Sequence, residues 1–408
     1  MRACLDRDLS SAEADPDSTS RHPSEKANED SSKADGRRLL AVSHPAVVSV
    51  NQETYLELIG RGWDVTVVVP ARWRGEYSPV PAEPQVLDGM RGSMHPIPVL
   101  MPGRPQRHLY MARCAALIRR LRPQVAFLEA ESYSLAASQW SFALHRLGVP
   151  FGVQCAENID RGLPAPVHLM RSLVLREAAF VAARSDSAAL LARAWGARGE
   201  VELVPHAVPA WEHVPTSAVE RPFTVGYAGR LVESKGLFDL LEAVRALESP
   251  VELLLIGEGE LRSQLEGQPI PGSQVRVIDD LSHAEMASGY AQLDVLVLPS
   301  HTTPTWKEQF GRVIVEALWC GVPVVGSDSG EIPWLIELTG GGLVFPEGES
   351  TVLADRLVKL RERPELRQQL ARTGRAAVER LFTVPAATDP LEQMLLHAAE
   401  RASTSPAR

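Results

Sequence analysis

The sequence predicts two doubly wound α/β domains, each on a parallel sheet, facing one another across a cleft. Three observations carry this. Short apolar runs alternate with segments of helical periodicity along most of the chain. The first strand, helix and strand fit within about thirty residues, the size of a βαβ unit, which makes the sheet parallel. A proline-rich lapse over 207–222 separates two stretches of the same alternation.

Order begins at Arg38, and Leu39–Val42 reads as an apolar strand. A loop, SHPAVVSVN, leads to a helix near Gln52–Ile59 with Tyr55, Leu58 and Ile59 on one face. Gly60 and Gly62 end it, and Trp63–Val69 is the next strand. A basic helix over His108–Leu121 comes next. Strand Val125–Leu128 closes on Glu129 and Glu131, and strand Pro150–Gln154 runs into CAEN. A helix over Val167–Ala179 and further short elements reaching Val201–Val204 complete the first half. After the lapse, strands fall near Phe223–Ala228, Val251–Ile256, Val275–Ile278, Val295–Leu298, Val322–Val325 and Leu343–Phe345, with helices between them. The tail Ala354–Ala402 is helical, broken near Pro364 and Pro385. The expected units are a first domain at 38–206, a linker at 207–222 and a second domain at 223–384. A terminal helix in 385–408 packs back on the first domain. In such folds ligands bind beyond the carboxyl ends of the strands, which places the site in the cleft.

Composition narrows the function. The 408 residues carry a net charge of −9, against a broad nucleic-acid footprint. The cysteines, Cys4, Cys114, Cys155 and Cys320, are scattered without a CxxC pair, which fits a reduced, cytoplasmic compartment. No apolar run approaches the ~20 residues of a membrane span. Arg2, Asp6, Arg7 and Asp8 leave no signal-peptide core. Residues 1–37, rich in Ser, Asp, Glu and Lys, read as disordered, or as the product of a misplaced start. The helix His108–Leu121, with Arg113, Arg119, Arg120 and Arg122, suits either peripheral contact with the inner membrane face or an ordinary solvated amphipathic helix.

Three stretches could carry chemistry. In GYAGRLVESKG (Gly226–Gly236), Arg230 and Lys235 leave a loop between a strand's carboxyl end and a helix, where cations suit a diphosphate. A solvated loop with Lys235 paired to Glu233 is the plainer reading. Gly257-Glu258-Gly259 with Arg262 lacks the third glycine of a dinucleotide fingerprint, so a tight turn is the better account. In TTPTWKEQFGRVIVEALWCGVPV (Thr302–Val324), a helix opens at Phe310-Gly311, and its free N–H groups and dipole suit an anion. Glu308 and Glu316 would lie about 12 Å apart along a continuous helix, spaced to hold the two ends of an elongated ligand by its hydroxyls. An exposed salt-bridged row of Glu308, Arg312 and Glu316 accounts for the same spacing.

GRLVESKG, IGEGELR, LVLPS and KEQFGRVIVEALWCGVPVV, in that order, resemble the nucleotide-sugar half of retaining glycosyltransferases of the family-four type, which have two facing Rossmann-like domains (the GT-B architecture). The likeness is specific over Phe223–Phe345; the first half matches only in outline, through the HP loop, RGWDV and LVPHAV. It implies that Arg230 and Lys235 bind the donor diphosphate and that Glu308 meets the hydroxyls of the transferred sugar. Phe310, Gly311 and Arg312 offer backbone N–H groups, and Glu316 accepts from the ribose. It further implies transfer of a hexosyl group with retention, to a glycan, lipid-linked or small-molecule acceptor, without a cofactor. The two cations stand where a metal would, and the Asp-x-Asp strings Asp6–Asp8 and Asp15–Asp17 fall in the tail. Two departures are plain. The family's glycine pair in the first βα loop is replaced by a stretch holding His44 and Asn51, and its middle-strand histidine by Cys155, Glu157 or Asn158, of which Glu157 is preferred. His44 fits acceptor contact, or capping or packing beside Pro45. A nucleotide-sugar epimerase, or a non-catalytic nucleotide-sugar-binding subunit, would share these features; an acceptor-free assay separates the first, and donor binding without turnover the second.

Overall fold

The computed structural model describes residues 37–75, 80–209, 211, 221–247, 250–270, 272, 274–279 and 281–404. The readings made on residues 1–36, including both Asp-x-Asp strings, and on most of the linker lie outside this set.

Among these residues the chain forms two all-parallel sheets. The first contains β1 (Arg38–Ser43), β2 (Asp64–Pro70), β3 (Met94–Ile97), β6 (Val125–Glu131), β7 (Phe151–Cys155), β8 (Phe180–Ala183) and β9 (Glu200–Leu203). Their spatial order is β3-β2-β1-β6-β7-β8-β9. A two-stranded antiparallel ribbon of β4 (Val99–Leu100) and β5 (Leu109–Tyr110) lies beside it in sequence. The second sheet contains β10 (Phe223–Ala228), β11 (Val251–Ile256), β12 (Gln274–Ile278), β13 (Val295–Leu298), β14 (Val324–Ser327) and β15 (Gly342–Phe345), in the order β12-β11-β10-β13-β14-β15. In both sheets the order reverses beside the first strand, the switch point where such folds open a crevice.

Successive side chains on a strand face opposite ways, and helices cover both faces, so central strands such as β8 and β13 are apolar throughout, while β3, β9 and β12 at the sheet edges keep polar positions. Leu39 and Ala41 of β1 join one buried cluster while Leu40 and Val42 join the other. The first of these clusters includes Leu391, Met394 and Leu395 from the terminal helix Val384–Thr404. Each such side chain contributes roughly 1.5–3 kcal/mol relative to exposure. Polar contacts fix that helix in register. Arg61 Nη1 lies 2.7 Å from both Asp389 and Glu392, and Trp63 Nε1 donates to Glu392 at 2.9 Å. The terminal helix therefore covers the first sheet after the chain has built the second.

The stretch His108–Leu121 is not one helix. Leu109–Tyr110 pairs with Val99–Leu100, and the helix covers only Cys114–Leu121. Gln139 clamps the short strand, its side chain accepting from the Tyr110 N–H at 3.0 Å and donating to the Tyr110 carbonyl at 2.8 Å. His108 is fully buried, so it cannot belong to a solvated basic face. No helix among the described residues is long and apolar enough to cross a membrane.

One glycine holds the second sheet's first loop in place. Gly236 follows the turn Glu233–Lys235 at φ +64°, and an added Cβ would sit 1.9 Å from the Pro299 carbonyl oxygen. Gly236→Ala should cost about 1–3 kcal/mol, read as a lower urea midpoint, and should displace Lys235, the residue before it.

Candidate active site

The loop after β10 and the loop before the helix Arg312–Trp319 meet at Lys235 and Glu308. Lys235 Nζ lies 2.6 Å from Glu308 Oε2 and 4.4 Å from the centre of the Trp306 ring. Ser300, just beyond β13, donates to the same carboxylate oxygen at 3.0 Å. Lys235 is only 9% exposed. A carboxylate on one side and an aromatic face on the other hold the ammonium in place. Pairing with Glu233, the plainer sequence reading, is replaced by pairing with Glu308, 73 residues away.

The helix begins at Arg312, not Phe310. Gly311 is its N-cap at φ +77°, and no side chain among the described residues caps it, so its first N–H groups lack a side-chain acceptor. Glu308 therefore precedes the helix, and the exposed row of Glu308, Arg312 and Glu316 does not form. Nor does the 12 Å spacing along one axis apply. Phe310 is buried against His206, their ring centres 5.2 Å apart.

Glu316 is 3% exposed, which also rules out a solvated role. Its Oε2 accepts from Tyr290 OH at 2.7 Å, while Oε1 is buried without a partner among the described residues. Burial pushes its carboxyl up, against the opposing pull of Arg312 and the Tyr290 hydrogen bond. Glu316 lines a cavity of about 380 Å³ with Arg230, Gly229, Glu258, Asp279 and His283. A buried, half-satisfied carboxylate beside an open cavity is set to accept from a ligand's hydroxyls. The glycines of GEG serve packing here: a Cβ at Gly257 would lie 2.1 Å from the Gly229 carbonyl oxygen, and one at Gly259 2.3 Å from that of Leu231. They let the loop carrying Arg230 sit directly on the next loop.

The first domain supplies the facing wall. The glycine-poor loop folds as two short 3-10 turns, Pro45–Val47 and Ser49–Gln52. These set Asn51 to accept from Arg312 at 3.2 Å while donating to the Pro45 carbonyl. His44 packs its ring against Trp73 and His108, and burial pushes its pKa down to about 3, so it is neutral. His44 also lines a second cavity, about 320 Å³, between the sheets. Glu157 lines the same cavity, buried, with Tyr133 donating to it at 3.0 Å and Arg161 3.2 Å away. Of the other two candidates for the missing histidine, Cys155 is fully buried with its thiol pushed well up. Asn158 crosses the cleft, donating to the Glu308 carbonyl at 2.8 Å. Glu131, Tyr133 and Trp306 also belong to this cavity. None drew a role from the sequence, although Glu131 was visible as a strand-end carboxylate and Trp306 lay inside the opening stretch. No group of three or more His, Cys, Asp or Glu among the described residues is arranged to hold a metal.

Two parallel α/β sheets in these strand orders match the GT-B architecture of solved glycosyltransferases. The fold matches sucrose-phosphate synthase from Thermosynechococcus elongatus with a TM-score of 0.66 and 18% identity, covering 90% of this chain and 100% of that one. It also matches Anabaena HepE in complex with UDP, with a TM-score of 0.65 and 18% identity, covering 88% and 99%. Residues 211–377 match the family model described as glycosyl transferases group 1. The chain is 29% identical over 180 residues to the capsular polysaccharide biosynthesis glycosyltransferase CapM of Staphylococcus aureus, covering 42% of this chain and 45% of that protein. It is 34% identical over 164 residues to the phosphatidyl-myo-inositol mannosyltransferase of Mycobacterium leprae, covering 38% and 42%. The chain thus spans less than half the length of these relatives.

Proposed function

We propose that the protein transfers a hexosyl group from a nucleoside diphosphate sugar to a hydroxyl acceptor, with retention of configuration. The observation that carries this is the Lys235–Glu308 pair at 2.6 Å, set beside an uncapped helix start and next to the cavity holding Arg230 and Glu316. The parts suit one ligand. Glu316 takes the ribose hydroxyls, Arg230, Lys235 and the N–H groups at Gly311–Arg312 take the diphosphate, and Glu308 takes the sugar. HepE, a protein of the same fold, binds UDP and UDP-glucose, and the mycobacterial relative is a mannosyltransferase.

In the reaction the bond between the sugar C1 and the leaving phosphate oxygen breaks. Negative charge grows on the diphosphate, where the Lys235 and Arg230 cations are already in place. The acceptor oxygen forms the new bond to C1 on the same face, and its proton passes to the leaving phosphate. No protein carboxylate pair of the glycosidase kind is required.

The direct test incubates the protein with UDP-, GDP- and ADP-hexoses and a panel of acceptors, and reads the product anomer by NMR. An inverted product, or an epimerised donor without acceptor, overturns the proposal. Glu316→Gln should raise the donor KM about tenfold, the scale of one charge-assisted hydrogen bond. Its Tm should be unchanged or higher, because the substitution removes a charge that burial disfavours.

A further inference from the structure

Two glutamates stand at the end of β6, and the fold treats them oppositely. Glu129 is fully engaged, accepting from Ser43 Oγ at 2.6 Å, Tyr55 OH at 2.7 Å and Arg184 at 3.0 Å. Between Leu128 and Glu131 the pairing of β6 with β7 shifts register. Such irregularities re-aim side chains, and Glu131 leaves the Glu129 network. Its Oε1 accepts from the Ala156 N–H at 2.8 Å. Its Oε2 is shut from solvent and has no partner among the described residues. An orphaned buried oxygen costs stability unless a ligand completes it.

Glu131 lines the cavity of about 320 Å³ between the sheets, where it and Tyr133, Glu157 and Arg161 of the first domain meet Trp306 and Gln309 of the second. We propose that this cavity takes an uncharged, hydroxyl-bearing ring of the acceptor, a sugar or cyclitol without a phosphate, and that Glu131 is the specificity-determining residue that reads its hydroxyl. The inference rests on the transferase reading, which it deepens by naming the acceptor class. The charge pattern carries it. Two carboxylates line the cavity against one guanidinium, Arg161, which Glu157 already engages at 3.2 Å. A phosphate here would lack a free cation and would meet both carboxylates. A ring hydroxyl donates to a carboxylate and accepts from a carboxylic acid, so either form of Glu131 holds it. The aromatic surfaces of Trp306 and Tyr133 suit the apolar face of the ring.

Burial, reinforced by the charge of Glu157, pushes the Glu131 carboxyl up to about 7. The charged and titratable groups around it are Glu157, Arg161, Tyr133, Cys155 and Arg184, with neutral His44 on the cavity wall. Across pH 6–8 the cavity therefore gains a negative charge.

Calorimetry on the full-length protein tests this. UDP, GDP and ADP are titrated first; if none binds, the donor reading itself fails, whatever Glu131 does. With the nucleotide saturating, myo-inositol, methyl hexosides and disaccharides are compared with their monophosphate esters. A neutral ring should bind, and its phosphate ester at least about tenfold more weakly. Glu131→Ala should weaken the neutral ring about tenfold, while Glu131→Gln, which keeps a donor and an acceptor, should retain it. The preference for the neutral ring should grow from pH 6 to pH 8 more steeply in the native protein than in Glu131→Gln. Both proteins share the titration of the phosphate, so the difference isolates Glu131. Tighter binding of phosphate esters, no binding of any neutral ring, native-like affinity in Glu131→Ala, or identical pH profiles overturns the inference. The Gln comparison decides it even if the Ala variant fails to fold.

Discussion

Lys235→Ala is expected to lower kcat by about 10²- to 10³-fold, the usual scale for removing one group that meets charge developing in a transition state. The ammonium is the most enclosed cation of the cleft, fixed by Glu308 at 2.6 Å and by the Trp306 ring. Water entering the gap would supply only reorienting dipoles. Lys235→Arg should not restore the rate. A guanidinium is planar and broader than an ammonium, and it would not reproduce a single short contact under the indole face. Lys235→Ala also leaves Glu308 with Ser300 as its remaining side-chain donor, so some loss of Tm should accompany the loss of rate. The double variant Lys235→Ala/Glu308→Gln separates the two effects. Removing the orphaned charge should recover Tm while activity stays absent. Steady-state kinetics and thermal melts on the three variants measure this, and wild-type turnover in Lys235→Ala would remove Lys235 from the mechanism.

Arg184→Met should produce the largest loss of stability, about 3–5 kcal/mol, or roughly a 10 °C fall in Tm. Arg184 follows β8 and reaches three neighbouring strands. It donates to Glu129 at 3.0 Å, to Gln154 at 2.6 Å and to the Val204 carbonyl at 3.1 Å. Without it the Glu129 carboxylate stays buried at the end of β6 with neutral donors only. Adding Glu129→Gln should return much of the loss, because a neutral amide no longer needs a buried cation. A melt in which the double variant is no more stable than Arg184→Met would show that the lost packing of the arginine stem dominates.

The two-sheet architecture was legible because the central strands are short runs buried on both faces and each crossover is local. Leu39–Val42, Trp63–Val69 and Leu253–Ile256 signal themselves in the sequence without knowledge of their partners. The misread helix His108–Leu121 shows the limit. Its first residues form a strand through Gln139, 29 residues on, and helical periodicity cannot report such a clamp. The candidate site was legible as residue types in order, not as pairs. Nothing near Lys235 in sequence indicates Glu308 as its partner. Glu308 leaves the helix because Gly311 takes a left-handed conformation and because the Glu308 carbonyl is held by Asn158 and by the Glu331 N–H at 3.0 Å. Likewise Glu129 and Glu131 look alike in sequence, and a register shift gives them different surroundings.

The return of the terminal helix to the first sheet has a mechanical consequence. The chain passes between the sheets twice, and the two passages touch: the Val208 N–H donates to the Phe382 carbonyl at 2.7 Å. Two adjacent tethers do not permit free tumbling of one half against the other. They define a pivot at 208 and 382 and leave rotation about it as the soft motion. Away from that pivot, Asn158 on the Glu308 carbonyl and Arg312 on Asn51 act as latches. Rotation about that pivot would release both. These two contacts fall on Glu308 and Arg312, the residues that the proposed function gives to the donor.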